Sequence, residues 1–391
     1  MGCMRMNFEF SELQEDIRHG VREICARYDV EYWRKCDEKN EYPEEFVNAM
    51  IEAGWLSALI PEEYGGAGLG LSEAAIILEE VNRSGGAGTA CHAQMYTMGA
   101  VLRHGSEEQK QKYLPQIANG TLRLQSMGVT EPDAGSDTTK IKTFAEKKGD
   151  HYIINGQKIF TSRYQHSDMI LLLARTTPLE KVDKKTKGIS LFLIDTRDIG
   201  DAIVANPIDT MVHHETNMLF INDLKVPASA LVGEEGNGLY CILDGLNAER
   251  ILASAQAVGD GKWFVEQAVR YSKERVVFDR PIGQNQGVQF PISKAYANLM
   301  AAETMMHKAA AKFDQGLPCG AEANMAKYLC SEAAWEAGEA AMTTFGGYAV
   351  AKEYHIERKW KESRLARNAP ISNNLVLSYV GQHVLGMPRS F

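Results

Sequence analysis

The sequence predicts a mainly α-helical protein that carries a small β domain in its middle. Residues 1–122 and 233–391 show apolar side chains at helical spacing, whereas residues 123–232 are rich in β-branched residues and short strand-like runs. Helices, then strands, then helices again indicate three domains in α–β–α order rather than a doubly wound sheet. A length of 391 residues is compatible with such a division.

The N-terminal domain, 1–122, shows local signals for the start of several helices. Ser11 and Ser106 are each followed three residues later by a glutamine, which is the spacing of a capping box. Pro43 is typical of a first helical position, and Ser72 marks the expected start of a further helix. The apolar stripes behind these signals are interpreted as core faces, and we assign no chemistry to them.

The central domain, 123–232, is expected to be a small, barrel-like β domain. Two short apolar runs flank Asn155-Gly156, a pair typical of a tight hairpin turn. Residues 178–187 are rich in Lys, Asp and Glu and are expected to form an exposed loop. Three further strands are predicted: Met169–Leu173, Ile189–Ile194 and Met218–Val226.

The C-terminal domain, 233–391, is expected to be a helical bundle. A glycine pair, Gly346-Gly347, interrupts its helical pattern, and a last helix is expected near residues 371–386. Before that interruption, long amphipathic runs cover residues 236–277, 289–314 and 321–344.

Composition and charge exclude several classes of protein. The net charge of −9 argues against nucleic acid as the main partner. Seven cysteines at scattered spacings indicate neither a disulfide framework nor zinc, and they favour a reducing, intracellular setting. No apolar run is long enough for a membrane span, and the acidic N-terminus is unlike a transit peptide, so a cytoplasmic location is expected. The pair His213-His214 has no further ligand at metal-binding spacing, and we expect no metal site.

The common nucleotide and hydrolase signatures are missing from the sequence. It contains no GxGxxG after a strand, no Walker A loop, no GxSxG elbow and no HExxH. Nicotinamide-dependent and ATP-dependent enzymes of the common types are therefore disfavoured.

One stretch, Met127–Asp137, concentrates loop-forming and hydrogen-bonding residues. Gly135 has no Cβ and allows a ligand to approach the backbone closely, beside the Ser136 hydroxyl. Composition alone is equally compatible with an ordinary loop between a helix and a strand. The complete string, however, resembles the signature loop of the acyl-CoA dehydrogenase family, flavoproteins that oxidise acyl-CoA thioesters between Cα and Cβ. The resemblance implies substrate contact by Ser136 and flavin contacts by Met127, Val129, Thr130, Gly135 and Ser136.

A second stretch, Phe160-Thr161-Ser162, places an aromatic ring beside two hydroxyls. By itself such a stretch is also typical of an ordinary strand end. In the resembling family an aromatic residue, often tryptophan, lies beside the flavin here, and a nearby hydroxyl hydrogen-bonds flavin N5. The resemblance therefore implies that Phe160, Thr161 and Ser162 bind the cofactor, with Ser162 at the hydroxyl position.

Two further strings resemble segments that complete the flavin site of another subunit. Arg275, Phe278 and Gln286 match a family pattern that meets the flavin diphosphate, although Asp279 stands where glycine is usual. The pair Gly346-Gly347 resembles a turn that approaches the flavin across a subunit interface. The remaining implied cofactor contacts are Thr343, Ser372 and Asn374.

The residue that removes the α-proton is implied by a departure from the family pattern. Where many members have Tyr-Glu-Gly-Thr with a catalytic glutamate, this chain has Ala369-Pro370-Ile371-Ser372, and proline accepts no proton. A subset that includes isovaleryl-CoA dehydrogenase carries the base on a long helix, in a string similar to Glu249-Arg250-Ile251. Apolar neighbours would desolvate Glu249 and raise its pKa toward that of a general base. From the residues alone, an exposed charge pair on a helix remains the alternative.

The family resemblance also implies the ligands and partners. Asn247, Arg250, Gln94 and Met95 fall at substrate-contacting positions, although Gln94 and Met95 fit a helix core equally well. FAD would lie between the β domain and a C-terminal four-helix bundle, the enzyme would be a homotetramer, and electrons would pass to an electron-transfer flavoprotein. The acyl chain of the substrate is not determined by any stretch of the sequence.

Three alternatives to a dehydrogenase remain open at this point. The first is an enoyl-CoA reductase that runs the reverse reaction, as in chains similar to crotonobetainyl-CoA reductase. The second is an oxidase that passes electrons to oxygen. The third is a flavin- or CoA-binding relative that has lost its base.

Overall fold

A computed structural model describes residues 9–212 and 215–389 and has the predicted fold class. A helical N-terminal region is followed by a central sheet and then by a helical C-terminal region. None of the helices in these ranges combines the length and apolar composition that a membrane span needs. The six cysteines in the same ranges are free thiols.

The N-terminal region begins its helices where the local signals predict. Its helices are α1 (Glu12–Cys25), α2 (Val30–Lys39), α3 (Glu44–Glu52), α4 (Leu71–Arg83), α5 (Thr89–His104) and α6 (Glu107–Ala118). Ser11 and Ser106 both form the predicted capping boxes, in which the serine hydroxyl accepts a hydrogen bond from a backbone N–H three residues on. Pro43 lies just before α3, and α4 begins at Leu71 rather than Ser72.

The central region folds as one eight-stranded sheet in the described residues. Its strands are β1 (Ser126–Gly128), β2 (Phe144–Lys148), β3 (His151–Ser162), β4 (Met169–Arg175), β5 (Ile189–Asp195), β6 (Ile203–Pro207), β7 (Thr216–Pro227) and β8 (Leu231–Val232). They pair in the order β6-β7-β3-β2-β4-β5-β8, and β1 pairs with β4 in parallel. Strands β4, β5 and β7 confirm the three strands predicted outside the hairpin.

The hairpin predicted at Asn155-Gly156 is wrong, because both residues lie inside the continuous strand β3. The chain turns instead at Gly149-Asp150, between β2 and β3. Gly156 lets β3 pass close to Thr143, since an ideal Cβ at this glycine would lie 2.5 Å from Thr143 Oγ1. The pairing of β3 with β7 shifts between Ile154 and Gly156. The Asn-Gly pair therefore marks a β-bulge and not a turn.

The C-terminal region contains three long helices and two short ones in the described ranges. They are α7 (Gly238–Glu274), α8 (Gln286–Asp314), α9 (Gly320–Phe345), α10 (Ile356–Leu365) and α11 (Asn373–Tyr379), with a two-residue strand pair, β9 (Val276–Val277) and β10 (Arg280–Pro281), after α7. Helices α7, α8 and α9 confirm the long predicted runs. The last predicted helix, 371–386, is shorter, because α11 ends at Tyr379 and passes into a π turn.

Helix α10 has no counterpart in the sequence prediction because its buried face is basic rather than apolar. Arg358 and Lys359 are 1% and 0% exposed. Arg358 Nη2 donates to the carbonyl oxygen of Gly85 at 2.6 Å, and Lys359 Nζ donates to that of Gly86 at 2.8 Å. Hydrogen bonds to the loop before α5 thus replace the apolar stripe that a helical pattern requires.

Helix α7 joins the three regions and positions the site. Its 37 residues pack against α4 and α5 of the N-terminal region, β5 of the sheet, and α8 and α9 of the bundle. Gly259 allows the close crossing with α4, since an ideal Cβ there would lie 2.3 Å from the Glu79 carbonyl oxygen. The N-terminal half of α7 therefore faces both α5 and the sheet.

Candidate functional site

Glu249 lies on the face of α7 that is directed toward α5 and the sheet. It is 6% exposed and lines a small cavity with Tyr96 and Thr97 of α5 and Met127 of β1. Burial raises the pKa of the Glu249 carboxyl to about 7, and the positive charge of Arg250 only partly opposes this rise. Glu249 is therefore not an exposed carboxylate, and its pKa suits a group that accepts and releases a proton near neutral pH.

Two titratable side chains near Glu249, those of His92 and Tyr96, are neutral near pH 7. The rings of His92 and Tyr96 lie 4.9 Å apart, centroid to centroid. Burial, followed by the charge of Arg163, lowers the pKa of His92 to about 3. Burial, followed by the charge of Glu249, raises the pKa of Tyr96. Sequence reasoning missed both residues, because the contact between α5 and α7 joins segments far apart in the chain.

Arg250 and Asn247, two predicted substrate residues, lie together on α7. Arg250 Nη1 donates to Asn247 Oδ1 at 3.1 Å, and burial lowers the pKa of the guanidinium. A second cation, Lys327 of α9, lies close enough for Arg250 to lower its pKa, which burial brings to about 8. Lys327 Nζ donates to Asn373 Oδ1 at 2.6 Å. This basic side of α7 fits an anionic ligand.

The other two predicted substrate residues, Gln94 and Met95, are not among the residues that line the Glu249 cavity. Gln94 is 1% exposed, and its Oε1 accepts a hydrogen bond from the Leu124 backbone N–H at 3.2 Å. Met95 is 1% exposed and belongs to the core that the N-terminal helices share with α7, α8 and α9. Both side chains are buried in the helical core, and their contact with substrate stays a prediction, whereas Tyr96 and Thr97 line the cavity.

The Met127–Asp137 loop is fixed by a buried ion pair. Lys158 of β3 is 0% exposed, and its Nζ donates to Glu131 Oε1 at 2.9 Å and to the Val129 carbonyl oxygen at 3.1 Å. The Glu131 carboxylate also accepts hydrogen bonds from two backbone N–H groups in segment 142–143, at 2.6 and 2.9 Å. Burial tends to raise the pKa of Glu131, but Lys158 and these hydrogen bonds hold it below its usual value. The loop is therefore pre-organised by one of its own side chains.

Phe160 occupies a β-bulge that turns its ring outward. The pairing of β3 with β7 shifts between Lys158 and Thr161, and Phe160 has a φ of +57° and a side chain that is 61% exposed. Positive φ is rare for an aromatic residue, and such outliers concentrate at functional sites. The Ser162 hydroxyl, two residues on, donates to Thr216 Oγ1 at 3.3 Å.

The residues around this bulge fit a flat ligand with polar ring atoms. Ser126 and Thr161 are 0% and 1% exposed, and within the described residues neither hydroxyl oxygen has a hydrogen-bond partner. An ideal Cβ at Gly135 would meet no atom within 4 Å, so the loop backbone there is open to a ligand. An exposed ring, unpaired hydroxyls and open backbone together fit the ring system of a flavin. Ser126 directly precedes the motif and was not predicted.

The second predicted set of cofactor residues is exposed at the far end of α7. Phe278 and Asp279 join β9 to β10 with φ of +52° and +60°, the conformation of a two-residue hairpin turn. Aspartate tolerates this conformation, which explains why it can replace the usual glycine. The Phe278 ring is 93% exposed, and Arg275 Cζ lies 5.7 Å from the centroid of the Tyr348 ring. Gln286 at the start of α8 is also exposed.

The second set of cofactor residues lies far from Glu249. Arg275 lies about 39 Å beyond Glu249 along α7, at a rise of ~1.5 Å per residue. Gly346 and Gly347 follow α9, and ideal Cβ atoms there would meet nothing within 4 Å. Thr343 and Asn374 are exposed, whereas Ser372 caps α11 by accepting from the Leu375 backbone N–H.

Metal-ligating side chains meet at one place in the described residues. Oxygen and nitrogen atoms of Glu79, Glu303 and His307 lie within 4.8 Å of one another. Lys262 Nζ already bonds to Glu79 Oε1 at 2.7 Å and to Glu303 Oε1 at 2.8 Å. This group is therefore a salt-bridge network between α4, α7 and α8. The pair His213-His214 lies outside the described residues.

Comparison with known proteins identifies the class to which this fold and site belong. Family models of the acyl-CoA dehydrogenase N-terminal, middle and C-terminal domains match residues 11–121, 126–223 and 236–379. The chain belongs to the acyl-CoA dehydrogenase family. It is an oxidoreductase, and its cofactor is FAD.

Individual relatives span nearly the whole chain. The acyl-CoA dehydrogenase FadE12 of Mycobacterium tuberculosis (strain ATCC 25618 / H37Rv) is 35% identical over 388 residues, which are 98% of this chain and 99% of the relative. The 3-(aryl)acrylate reductase of Clostridium sporogenes is 34% identical over 360 residues, 91% of this chain and 94% of the relative. The structure of butyryl-CoA dehydrogenase from Megasphaera elsdenii has a TM-score of 0.91 at 28% identity and covers 97% of this chain and 100% of its own.

Proposed function

We propose that the protein oxidises an acyl-CoA thioester to the 2-enoyl-CoA, with Glu249 as the base that takes the proton from Cα. The burial of this carboxyl, with a pKa of about 7, carries the proposal. A buried carboxylate without a cationic partner costs stability, so its presence in a cavity favours a functional role. Pro370 stands at the alternative position of the family base and offers no proton acceptor.

The residues around Glu249 support its role as the proton acceptor. His92 and Tyr96 are neutral at neutral pH and do not compete for the proton. Bound FAD supplies the acceptor for the hydride that leaves Cβ as the Cα–Cβ double bond forms. Residues of the Met127–Asp137 loop and of Phe160–Ser162 would hold the cofactor, while Asn247, Arg250 and Ser136 would hold the thioester.

An enoyl-CoA reductase is the second candidate, because a relative at 34% identity is a 3-(aryl)acrylate reductase. In that direction Glu249 would act in its protonated form and give its proton to Cα. A pKa of about 7 serves both directions, since both protonation states are populated at neutral pH. For the forward reaction we propose an electron-transfer flavoprotein as electron acceptor. A solved structure at 31% identity and a TM-score of 0.92 comes from a study of such a flavoprotein from Acidaminococcus fermentans.

Anaerobic spectroscopy of the FAD-loaded protein tests these assignments. A dehydrogenase is expected to lose flavin absorbance when a saturated acyl-CoA is added without oxygen, and rapid return of the colour in air would indicate an oxidase. A reductase is expected to regain flavin absorbance when the reduced protein meets an enoyl-CoA. A shift of the flavin spectrum without loss of flavin absorbance, with every thioester tried, would contradict the proposed reaction. It would indicate a protein that binds thioesters without oxidising or reducing them.

The raised pKa predicts that Glu249→Gln stabilises the fold at alkaline pH. Because folding raises the pKa from 4.5 to about 7, the folded state binds more protons than the unfolded state between these values. Glu249 therefore costs stability that grows as the pH rises through this window. We expect Glu249→Gln to be more stable than wild type by about 3 kcal/mol at pH 8, with a smaller gain at pH 5. Urea unfolding at both pH values measures this, and an equal gain at both would contradict it.

We also propose that the protein is a homotetramer in which neighbouring chains complete one another's cofactor sites. The support is that Arg275 lies ~39 Å from Glu249 along α7, at the opposite end of this helix from the Glu249 cavity. Exposed apolar side chains surround the second set, with Phe278 93% and Val350 66% exposed. An apolar surface beside charged and polar groups is typical of a protein interface.

Arg275→Ala is expected to weaken FAD retention and tetramer assembly together. Arg275 is exposed in the single chain, so its loss should change the stability of the isolated fold by no more than ~0.5 kcal/mol. Arg270→Ala, an exposed arginine on the same helix, is the matched control and should change neither property. Light scattering and flavin absorbance measure the two effects. An FAD-loaded wild-type monomer would contradict the proposal.

A further inference from the structure

The loop between α4 and α5 is held by buried polar and charged side chains of three helices. Lys359 of α10 is 0% exposed, and its Nζ lies 2.5 Å from Asp260 Oδ1 of α7 and donates to the Gly86 carbonyl oxygen at 2.8 Å. Asp260 Oδ1 also accepts from Asn82 Nδ2 of α4 at 2.9 Å. Asn82 and Asp260 are 4% and 5% exposed. The side chains of Lys359, Asp260 and Asn82 therefore form one buried network between α4, α7 and α10.

Asn82 connects this network to the start of α5. Its Oδ1 accepts from the backbone N–H of Gly88, the residue that directly precedes α5, at 3.1 Å. An ideal Cβ at Gly88 would lie 2.5 Å from Asn82 Oδ1, so the close approach requires glycine. The Gly88 carbonyl oxygen in turn accepts from the His92 backbone N–H at 2.9 Å. The first turn of α5 is therefore fixed by a side chain of α4, which the buried network holds in place.

The first two turns of α5 carry two of the neighbours of Glu249. The rings of His92 and Tyr96 pack against each other, and Tyr96 lines the cavity that Glu249 also lines. Burial and the charge of Arg163 lower the pKa of His92, and the nearby backbone of Glu249 opposes them. Both α5 side chains thus lie against the part of α7 that carries Glu249. The burial of the Glu249 carboxyl therefore depends on the position of α5.

We propose that Lys359, Asp260 and Asn82 are positioning residues that hold α5 against α7 and so keep water away from the Glu249 carboxyl. The proposal rests on the proposed function, because the network acts on the reaction only through Glu249 as the base. A buried ion pair is often no more stabilising than apolar residues of similar size. What such a network adds is direction, since its hydrogen bonds are satisfied in one arrangement of the three helices and not when they slide.

The charged groups around Glu249 lie outside this network. Burial raises the pKa of Glu249, and the charge that opposes this rise is that of Arg250, the next residue on α7. Arg103 borders the same cavity, and its Nε lies 3.2 Å from Asp244 Oδ2. Substitutions in the network leave these three charges in place. A change in the protonation of Glu249 in such variants would therefore report a change in its burial.

Two changes break the network in different ways. Asn82→Ala removes the contact with Gly88 and leaves the pair of Lys359 with Asp260 intact. The double variant Lys359→Met with Asp260→Leu removes both charges together, and it should fold because apolar residues replace a buried ion pair at little cost. Asp260→Asn is the conservative change, since its amide oxygen still accepts from Asn82 and Lys359.

Arg34→Met is the matched control for loss of a buried ion pair on α10. Arg34 of α2 is 6% exposed, and its Nη1 lies 2.7 Å from Glu357 Oε1. This pair joins α10 to α2 rather than to the loop before α5. Its loss should lower the stability of the fold by a few kcal/mol, the usual cost of breaking a buried pair, without moving α5.

Infrared titration of the FAD-loaded protein follows Glu249 itself, as the carboxyl signal that disappears when Glu249→Gln is added to each variant. We expect a midpoint of about 7 in the wild type. In Asn82→Ala and in the double variant, water should reach the carboxyl and lower the midpoint by about one pH unit. Asp260→Asn and Arg34→Met should keep the wild-type midpoint. An unchanged midpoint in both network variants, or an equal fall in Arg34→Met, would overturn the proposal.

Flavin reduction by a saturated acyl-CoA separates this proposal from the proposed reaction. The pH midpoint of the reduction rate should fall in the same variants, and by the same amount, as the infrared midpoint. If no thioester reduces the flavin but the infrared midpoint falls as expected, the proposed reaction fails and the positioning of α5 by the network stands. If thioesters reduce the flavin and neither midpoint differs between wild type and the network variants, only the positioning role fails.

Discussion

Replacing Glu249 by glutamine is expected to slow flavin reduction by an acyl-CoA by ~10²- to 10⁴-fold, the usual contribution of a positioned general base. Glutamine keeps the size and most of the packing of the side chain but accepts no proton. The rate in the wild type should rise with pH through about 7, because only the ionised carboxyl accepts the α-proton. Anaerobic stopped-flow absorbance measures both effects.

The controls for this substitution distinguish chemistry from binding. FAD content and thioester binding should change little in Glu249→Gln, since the Glu249 carboxyl makes no hydrogen bond or ion pair with the described residues. Pro370→Glu restores the commoner family residue but should rescue poorly, because catalytic groups must lie within a fraction of an ångström of productive geometry. Reduction of Glu249→Gln at the wild-type rate would mean that another group takes the proton.

Replacing Lys158 by methionine is expected to destabilise the fold by about 3–5 kcal/mol, because it leaves Glu131 buried without its cationic partner. Lys158 is 0% exposed and Glu131 is 6% exposed, so water cannot replace the lost contact. Since Lys158 Nζ also binds the Val129 carbonyl oxygen, the Met127–Asp137 loop, which we propose contacts the flavin, should lose order, and FAD should be retained less well. Urea unfolding and flavin absorbance measure the two effects.

A matched substitution separates this buried pair from an ordinary surface pair. Lys142 pairs with Asp133 in the same part of the chain at 3.0 Å, with side chains that are 75% and 77% exposed. Lys142→Met should cost no more than ~1 kcal/mol. Adding Glu131→Gln to Lys158→Met should restore part of the stability, because glutamine carries no charge to bury. A loss in Lys142→Met as large as in Lys158→Met would contradict this explanation.

Features of the fold that depend only on residues close together in the sequence could be predicted from the sequence. The capping boxes at Ser11 and Ser106 formed as expected, because both partners lie within one turn of helix. The Asn155-Gly156 turn failed because its conformation is set by Thr143 and by β7, whose contacts are not visible locally. Helix α10 was missed because hydrogen bonds from Arg358 and Lys359 replace an apolar stripe.

The residues of the candidate site also fall into two groups: those that local motifs reveal and those that only the fold brings together. Glu249 and the Met127–Asp137 loop lie in contiguous strings and could be recognised as motifs. The residues that α5 adds to the cavity, Tyr96, Thr97 and Arg103, come from a crossing of two helices about 150 residues apart in the chain, where no local pattern points to the partner. Lys158 was missed for a related reason, since a lysine in a strand is usually exposed and only the structure shows its contact with Glu131.

The exchange of the α-hydrogen of a bound thioester with solvent tests the role of Glu249 most directly. In D₂O, the wild-type enzyme should replace the Cα hydrogen of a saturated acyl-CoA by deuterium, as followed by NMR, because the base returns a deuteron to the carbon that it has deprotonated. Glu249→Gln should lose this exchange while still binding the thioester and FAD. Exchange at the wild-type rate in Glu249→Gln would show that Glu249 is not the base.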